Sequence, residues 1–429
     1  MPARHFALAG SGTAGLTSAI TLASLGHRVT LFERFPTPRA LGAGILLQPS
    51  GIAVLASLGL LAAVSARATR VDRLDGRNMA GRAVMDVSYA GLNEHAHGLG
   101  VHRGNLLQVL HQAALSAGVE ILQGAEISGF SDPCASKVDV ELLGGERHGG
   151  FDGLIIANGT QSGLRAKLPI KQSVRPYPWG ALWHINCSAD QQHTPALLQR
   201  YDAAKVMIGL MPSGLLPGTD MPCMSFFWSL KVADYAGWQA GSLQAWKDHV
   251  CNLWPQTEST LASVRQHSDM QLAVYADVRM QRWHHGRVVV IGDAAHGMSP
   301  QLGQGANLAL IDAWQLAAAV DSRGAVSEAF AHYSRERRAH LGFYQLASRL
   351  LTPLFQSDQS GFALLRDSLF RVANAVPFSR RQALRTVAGI KTGLLFERDL
   401  QLARLALPVS RLPDDTEPHS EAEMMLNKI

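Results

Sequence analysis

The sequence predicts an α/β fold: a parallel sheet flanked by helices, an interleaved α+β domain on an antiparallel sheet, and a C-terminal helical segment. Three observations carry this reading. Residues 5–9 form a short apolar strand that runs into Gly10-Ser11-Gly12-Thr13-Ala14-Gly15 and then into apolar residues at helical spacing. Residues 154–157 and 288–291 are unbroken apolar runs, as the central strands of a parallel sheet require. Between residues 173 and 274 the texture shifts to short strand-like segments, such as 180–185 and 225–230, which suit an antiparallel sheet.

In the N-terminal turn each glycine has its own task. Gly10 permits the tight turn, Gly12 lets backbone N–H groups approach a pyrophosphate, and Gly15 lets helix and strand pack closely. Ala14 completes the turn, and the helix that follows directs its partial positive charge at phosphate. A second strand over 27–32 ends in Glu33, whose carboxylate is placed to accept both hydroxyls of a ribose, with Arg34 beside it. This strand–turn–helix–strand order marks a dinucleotide site, though the motif alone does not choose between FAD and NAD.

Further segments point the same way. In residues 39–49, Arg39 is followed by Gly42 and Gly44, which interrupt a strand-like run, either as an ordinary bulge or for close approach by a backbone or flat ligand. Residues 50–60 read as a short helix. Arg103 stands before a helix over 105–117, with Asn105 as its expected N-cap, and suits a phosphate or a ribityl hydroxyl. The strand over 151–157 ends at Asn158-Gly159. The strand over 287–291 is followed by Gly292-Asp293. The glycine-rich loop from Pro300 to Asn307 then enters a helix over 306–320, an arrangement that stabilises an anion.

Taken together, these motifs resemble the group A FAD-dependent monooxygenases, the para-hydroxybenzoate hydroxylase-like superfamily, over about residues 5–344. The resemblance implies a Rossmann-like FAD-binding domain of the GR2 type. The first motif would hold the ADP half of FAD, Asp293 and Arg103 the ribityl–pyrophosphate region, and the loop with Pro300, Gly303, Gly305, Ala306 and Asn307 the isoalloxazine ring. Arg39 and Gly44 join this cofactor-binding set. It also implies NAD(P)H as a transient reductant, with O2 activated as a flavin C4a-hydroperoxide that oxygenates an aromatic or related electron-rich molecule. The catalytic group is then the flavin itself, and neither His184 nor His296 is assigned a catalytic role. One departure stands out: Asn158-Gly159 replaces the family's Asp-Gly, keeping an acceptor but losing a charge. The alternative on the same fold is an FAD-dependent reductase or desaturase of an isoprenoid or polyketide-like substrate. The Trp-x-Trp-x-Ile motif of flavin-dependent halogenases is absent, since Trp179 and Trp183 lie four apart.

Composition narrows the classes. The chain has 429 residues, 47% hydrophobic and 17% charged, which suits two intimately packed domains rather than a disordered chain. The net charge of +5 is mild, and no basic stripe is interleaved with aromatics, so a nucleic-acid partner is not expected. Cys134, Cys187, Cys223 and Cys251 lack metal-ligand spacing and are expected to be reduced thiols, with no metal site. No secretory leader or apolar run long enough to span a bilayer is seen, and a cytoplasmic protein is expected.

The expected organisation is FAD-binding over 1–72, 99–172 and 276–345, substrate domain over 73–98 and 173–275, C-terminal helices over 346–411 and a disordered tail over 412–429. Trp179, Trp183, Phe226 and Trp228 are the candidate walls of a pocket for an apolar or aromatic small molecule. Pro353 and Pro377 are expected to break the C-terminal helices. Residues 364–411 carry nine Lys/Arg against three Asp/Glu, which fits a helical lid and, as the sharper reading, peripheral membrane contact. Oligomeric state is not legible.

Overall fold

The dinucleotide motif sits at the centre of a six-stranded sheet whose order is His284–His285, Val288–Val290, Gly153–Ile156, His5–Ala9, Arg28–Glu33 and Glu120–Gln123. Its strands are parallel apart from the first, a two-residue edge strand. The computed structural model describes residues 2–37, 44–189, 194–394 and 400–405. The helix Thr13–Ser24 is buried from Ala14 onward, which explains its small residues: it is packed between this sheet and the helices Arg103–Ser116 and Gly305–Ser322. The apolar strands 154–156 and 288–290 are fully buried, as their composition requires.

The second layer is a seven-stranded sheet in the order Gln271–Ala273, Trp179–Cys187, Pro222–Lys231, Val206–Leu215, Ala196–Asp202, Arg73–Asn78 and Ala83–Ser88. All pairs are antiparallel except Ala196–Asp202 with Arg73–Asn78. Cross-strand register sorts its side chains into two faces. Leu182, Ile208, Phe226 and Trp228 share one face, which the helix Leu243–Leu253 and its neighbours cover to form a separate core. Trp183, Phe227 and Ser225 share the other.

That other face meets the cofactor layer through a small sheet of Gly44–Leu47, Gly98–His102 and Ala68–Val71. The contact is backbone-close. Gly44 N donates to Ser225 Oγ at 3.0 Å, and a methyl group on Gly100 would run into the Pro212 carbonyl oxygen. The ribbon of Gln172–Pro176 with Ala276–Met280 carries the chain out to the second layer and back. The expected boundaries at 172/173 and 275/276 fall on it. The one expected at 345/346 falls inside a continuous helix, Val326–Phe355.

Two local expectations are corrected. Pro353 does not break a helix; it lies in the last turn of Val326–Phe355, while Pro377 opens the final helix, Pro377–Val387. Cys187 and Cys223 are not free thiols but a disulfide. Strand pairing sets the two directly opposite across Trp179–Cys187 and Pro222–Lys231, a juxtaposition that a separation of 36 residues conceals. Cys134 is exposed and Cys251 half-buried. The expected tail over 412–429 lies outside the described residues.

The contact at Gly100 yields a stability prediction. Gly100→Ala forces a side chain against a fixed carbonyl, and such overpacking costs roughly 1–3 kcal/mol. Thermal unfolding of the variant is expected to occur several degrees below wild type; an unchanged midpoint would show that the two layers separate freely here.

Candidate active site

The strand ends of the six-stranded sheet converge on one cleft. Gly10 adopts φ +102°, and a Cβ there would lie 2.8 Å from the Ala157 carbonyl and 2.9 Å from Asn158 Cα. A Cβ on Gly15 would strike the Gly10 carbonyl, so close packing fixes that residue too. Gly12 is different: a Cβ there would meet nothing within 4 Å. It is the N-cap of Thr13–Ser24, and no side chain caps this helix. Open space in front of uncapped N–H groups is what a pyrophosphate needs.

Glu33 closes one side. Its carboxylate accepts from Ser11 N at 2.8 Å, from Ser11 Oγ at 2.6 Å and from Phe35 N at 3.0 Å. It therefore shapes the glycine turn. Arg34 is exposed, with its guanidinium over the Phe35 ring at 4.6 Å. Arg39 lies outside the described residues.

On the opposite side, Gly292 N donates to Asp312 Oδ2 at 2.9 Å, and a Cβ on Gly292 would sit 2.9 Å from the Ala14 methyl. The glycine turn and the Gly292-Asp293 turn are thus pressed together. Asp293 is exposed in the cleft, and its carboxylate has no hydrogen-bond partner among the described residues. Arg103 is likewise exposed, without a partner among them, in the first turn of Arg103–Ser116. The N-cap of that helix is His102, whose Nδ1 accepts from Gly104 N at 3.0 Å. Asn105, expected in that role, is buried and donates to the Leu215 carbonyl instead.

The cleft floor is the loop 300–305. Gly303 is left-handed at φ +61°, and no side chain caps the helix Gly305–Ser322 that follows. Pro300, Gly303, Gly305 and Asp293 line the cleft together with Tyr275 and His296. Ala306 is half-buried behind Gly305. Asn307 is fully buried and acts one step back: its Oδ1 accepts from Gln48 N at 2.8 Å, while its Nδ2 donates to the carbonyls of Leu46 and Gly303. Gly44 is committed to the large sheet through Ser225.

These residues fit FAD. Free N–H groups, an exposed arginine and an exposed aspartate stand where a pyrophosphate and a ribityl chain require them. A further donor lies beside Gly303: Gln48 Nε2 is buried with no partner among the described residues, 4.0 Å from where Gly303 would carry a Cβ. Tyr89 O–H donates to Gln48 Oε1 and so fixes which way the amide points.

Sequence reasoning missed several of these groups. Gln48 and Tyr89 meet from distant segments. Arg165 is buried and ties two turns together, donating to the Thr160 carbonyl at 3.0 Å and the Ala294 carbonyl at 2.7 Å. Tyr275 is another, its phenol pushed up to about 12 by burial, so that it faces the cleft as a proton donor. No periodicity announces any of them.

Of the four candidate pocket residues, two are placed elsewhere. Phe226 and Trp228 pack beneath the helices on the far face of the large sheet, because alternation turns them away from Phe227. Trp183 shares with Phe227 and Ser225 the side that Gly44 meets, and Trp179 is on that side by alternation, beneath Lys231. His184 is engaged by the Asp269 carbonyl and Ser263 Oγ.

Behind the cleft lies a buried polar chain. His296 Nε2 donates to Asp312 Oδ2 at 2.5 Å, and Arg337 Nε to Asp312 Oδ1 at 2.8 Å. Arg337 Nη1 donates to His340 Nδ1 at 2.6 Å, and His340 Nε2 to the Gly389 carbonyl at 2.8 Å. Burial by itself would push the Asp312 carboxyl up, but His296 and Arg337 outweigh it and hold the group well below the usual carboxylate range. Burial, with Arg337 adjacent, pushes the His340 imidazole well below its ordinary value, so His340 is neutral.

Two predictions follow from this site. His340 binds a proton more readily when unfolded, near pH 6.5, than when folded. Its stabilising contribution is therefore complete above about pH 6.5 and is lost as pH falls toward the folded value; Asp312 adds a similar loss below about pH 4. Thermal unfolding measured between pH 8 and pH 5 is expected to show falling stability below pH 6.5. His340→Gln is expected to remove up to about 1.4 kcal/mol per pH unit of that slope; an unaltered slope would show that His340 does not contribute. Asp293→Ala is expected to weaken FAD retention by about 1.5–3 kcal/mol, the range for a hydrogen bond to a charged group, as read by cofactor titration. Wild-type retention would remove Asp293 from the cofactor contacts.

Comparison with known proteins agrees with this geometry. The chain is 26% identical over 375 residues to the aurachin C monooxygenase/isomerase of Stigmatella aurantiaca, covering 86% of this chain and 94% of that one. It is 29% identical over 366 residues to the 2-heptyl-3-hydroxy-4(1H)-quinolone synthase of Mycobacteroides abscessus, covering 79% and 87%. Its fold superposes on the tetrameric form of 2-methyl-3-hydroxypyridine-5-carboxylic acid oxygenase with a TM-score of 0.73 at 23% identity, covering 90% and 97%. The family model described as FAD binding domain matches residues 6–342, from the first strand to the long helix behind the cleft, and the chain belongs to that family.

Proposed function

We propose that this protein is an FAD-dependent monooxygenase that uses NAD(P)H and O2 to place one oxygen atom on a flat aromatic or related electron-rich molecule. The observation that carries the reading is the cleft lined by Asp293, Gly303, Gly305 and Tyr275, with Gln48 Nε2 beside Gly303, in a layer that Gly44 ties to Ser225 on the Phe227 side of the large sheet. Bound FAD supplies the redox chemistry, taking electrons from NAD(P)H and activating oxygen.

The chain supplies binding, orientation and dryness. The Gly12 turn and the uncapped helix behind it hold the pyrophosphate, with Arg103 as its cation and Asp293 as acceptor for the ribityl chain. The N-terminus of Gly305–Ser322 lies by the ring end and favours negative charge there. Gln48 donates from the ring's edge. Trp183 and Phe227 are the aromatic wall against which a flat substrate stacks, and the Tyr275 phenol is a donor for its polar edge. The relative named a 2-heptyl-3-hydroxy-4(1H)-quinolone synthase, whose named product carries a heptyl chain on a ring, supports a ring substrate with an apolar substituent. A cytoplasmic setting, where NAD(P)H is supplied, belongs to the same reading; among the described residues no helix is long and apolar enough to cross a membrane.

Substrate-dependent oxygen uptake, matched to NAD(P)H consumption and to labelled oxygen recovered in the product, tests the assignment. Reduction of a substrate without oxygen uptake would instead make the protein a reductase. Asn158 offers a finer test. It is exposed at the end of Gly153–Ile156, next to Gly10, where the family carries a carboxylate. The Coulomb effect of one exposed charge is only about 1 kcal/mol at 4 Å in water, whereas misplacing a reacting group by about 1 Å costs roughly a hundredfold in rate. Asn158→Asp is therefore expected to leave FAD bound and to change flavin reduction by NAD(P)H more than substrate oxygenation. Stopped-flow measurement of the two half-reactions checks it, and equal effects on both would make Asn158 a scaffold residue.

A further inference from the structure

The helix Ser360–Ala375 has two apolar faces. Inward, Phe362 and Phe370 pack with Tyr201, Phe355 and Phe227. Arg366 is fully buried there, its guanidinium 5.1 Å from the Tyr201 ring centre and 5.6 Å from that of Phe355, and it donates to the Ala203 carbonyl at 2.7 Å. Outward, Leu365, Leu369, Val372 and Val376 follow one another at helical spacing and are 54%, 52%, 60% and 41% exposed. Leu364 and Phe378 widen the stripe. A surface helix ordinarily turns polar residues outward, and a contiguous apolar patch marks a binding surface.

Charge identifies what covers it. Arg371 on this helix and Arg380 and Arg381 on the next are exposed and have no carboxylate partner among the described residues. Residues 346–394 contain only two carboxylates, and both are taken: Asp358 pairs with Lys231 at 2.6 Å and Asp367 with Arg366 at 2.8 Å. A second copy docked through the same face would set arginine against arginine, and residues 346–394 offer no free carboxylate to neutralise them. An anionic bilayer satisfies both features, since leucines enter the acyl boundary while arginines meet lipid phosphate.

We propose that the outer face of Ser360–Ala375, with the start of Pro377–Val387, docks this protein on an anionic lipid surface. The helix then stands between the bilayer and the aromatic side of the large sheet, since its inner face packs with Phe227. A lipophilic substrate would reach the cleft from the membrane rather than from water. That last step rests on the proposed function; the docking itself does not.

The test uses the full FAD-loaded chain with vesicles of phosphatidylcholine alone and of phosphatidylcholine mixed with phosphatidylglycerol. Cosedimentation with the mixed vesicles only, weakened by salt, is the expected result. Arg380→Gln and Arg381→Gln are each expected to lower the partition about fivefold. Leu369→Asp is expected to abolish it while the flavin absorbance stays, which shows the variant is folded. Equal partition to both vesicles, none to either, or indifference to these substitutions would overturn the proposal. So would a wild-type dimer, seen by light scattering, that Leu369→Asp dissolves. Oxygen uptake with a water-soluble aromatic, measured without vesicles, reports on the chemistry separately, so either reading can fail alone.

Discussion

Asp312 is a fully buried carboxylate on which three parts of the molecule converge. It accepts from Gly292 N, which sets the turn that presents Asp293; from His296, which lines the cleft; and from Arg337 on the long helix Val326–Phe355. Through Arg337 and His340 the chain of hydrogen bonds continues to the Gly389 carbonyl in the C-terminal segment. Breaking such a buried set from one side typically costs about 3–5 kcal/mol, because the remaining charges stay buried and unpaired. The turn before Asp293, the long helix behind it and the C-terminal segment are therefore held in one register by a buried chain of hydrogen bonds centred on Asp312.

The cleft itself is made by steric necessity. Gly10, Gly15 and Gly292 are pressed against neighbouring backbone or against Ala14, whereas Gly12 and Gly159 open onto space. Asn307 then staples the loop at Gly303 to the strand Gly44–Leu47, so the ring end is fixed by side-chain-to-backbone bonds rather than by strand pairing. Rigid surroundings of this kind suit a site whose chemistry is carried by a bound group and whose protein contribution is position.

The C-terminal helices serve both ends of the molecule. Val387 accepts a hydrogen bond from Gln304, at the start of the cofactor helix, and Tyr344 donates to Thr386. Residues 400–405 return to the first layer, where Trp314 and Gln315 donate to the carbonyls of Ala403 and Gln401. The same region turns leucines and arginines outward. A segment the sequence marks only as basic and helical is in fact the element that joins the cofactor loop to the outer surface.

The sequence by itself determined the local structure: which turn requires glycine, which strands are central, which loop enters a helix. These are contiguous patterns, and their physics is local, so Gly10 to Gly15 and Gly292-Asp293 were legible as they stand. What only the tertiary structure decided are the pairings between distant segments. Gln48 with Tyr89, Arg165 with Ala294, Asp312 with Arg337, and Cys187 with Cys223 each join residues that no periodicity connects. The faces of the antiparallel sheet belong to the same class. Alternation puts Phe226 and Trp228 on one side and Phe227 on the other, but which side the helices cover depends on what packs against each, and that is a property of the assembled core.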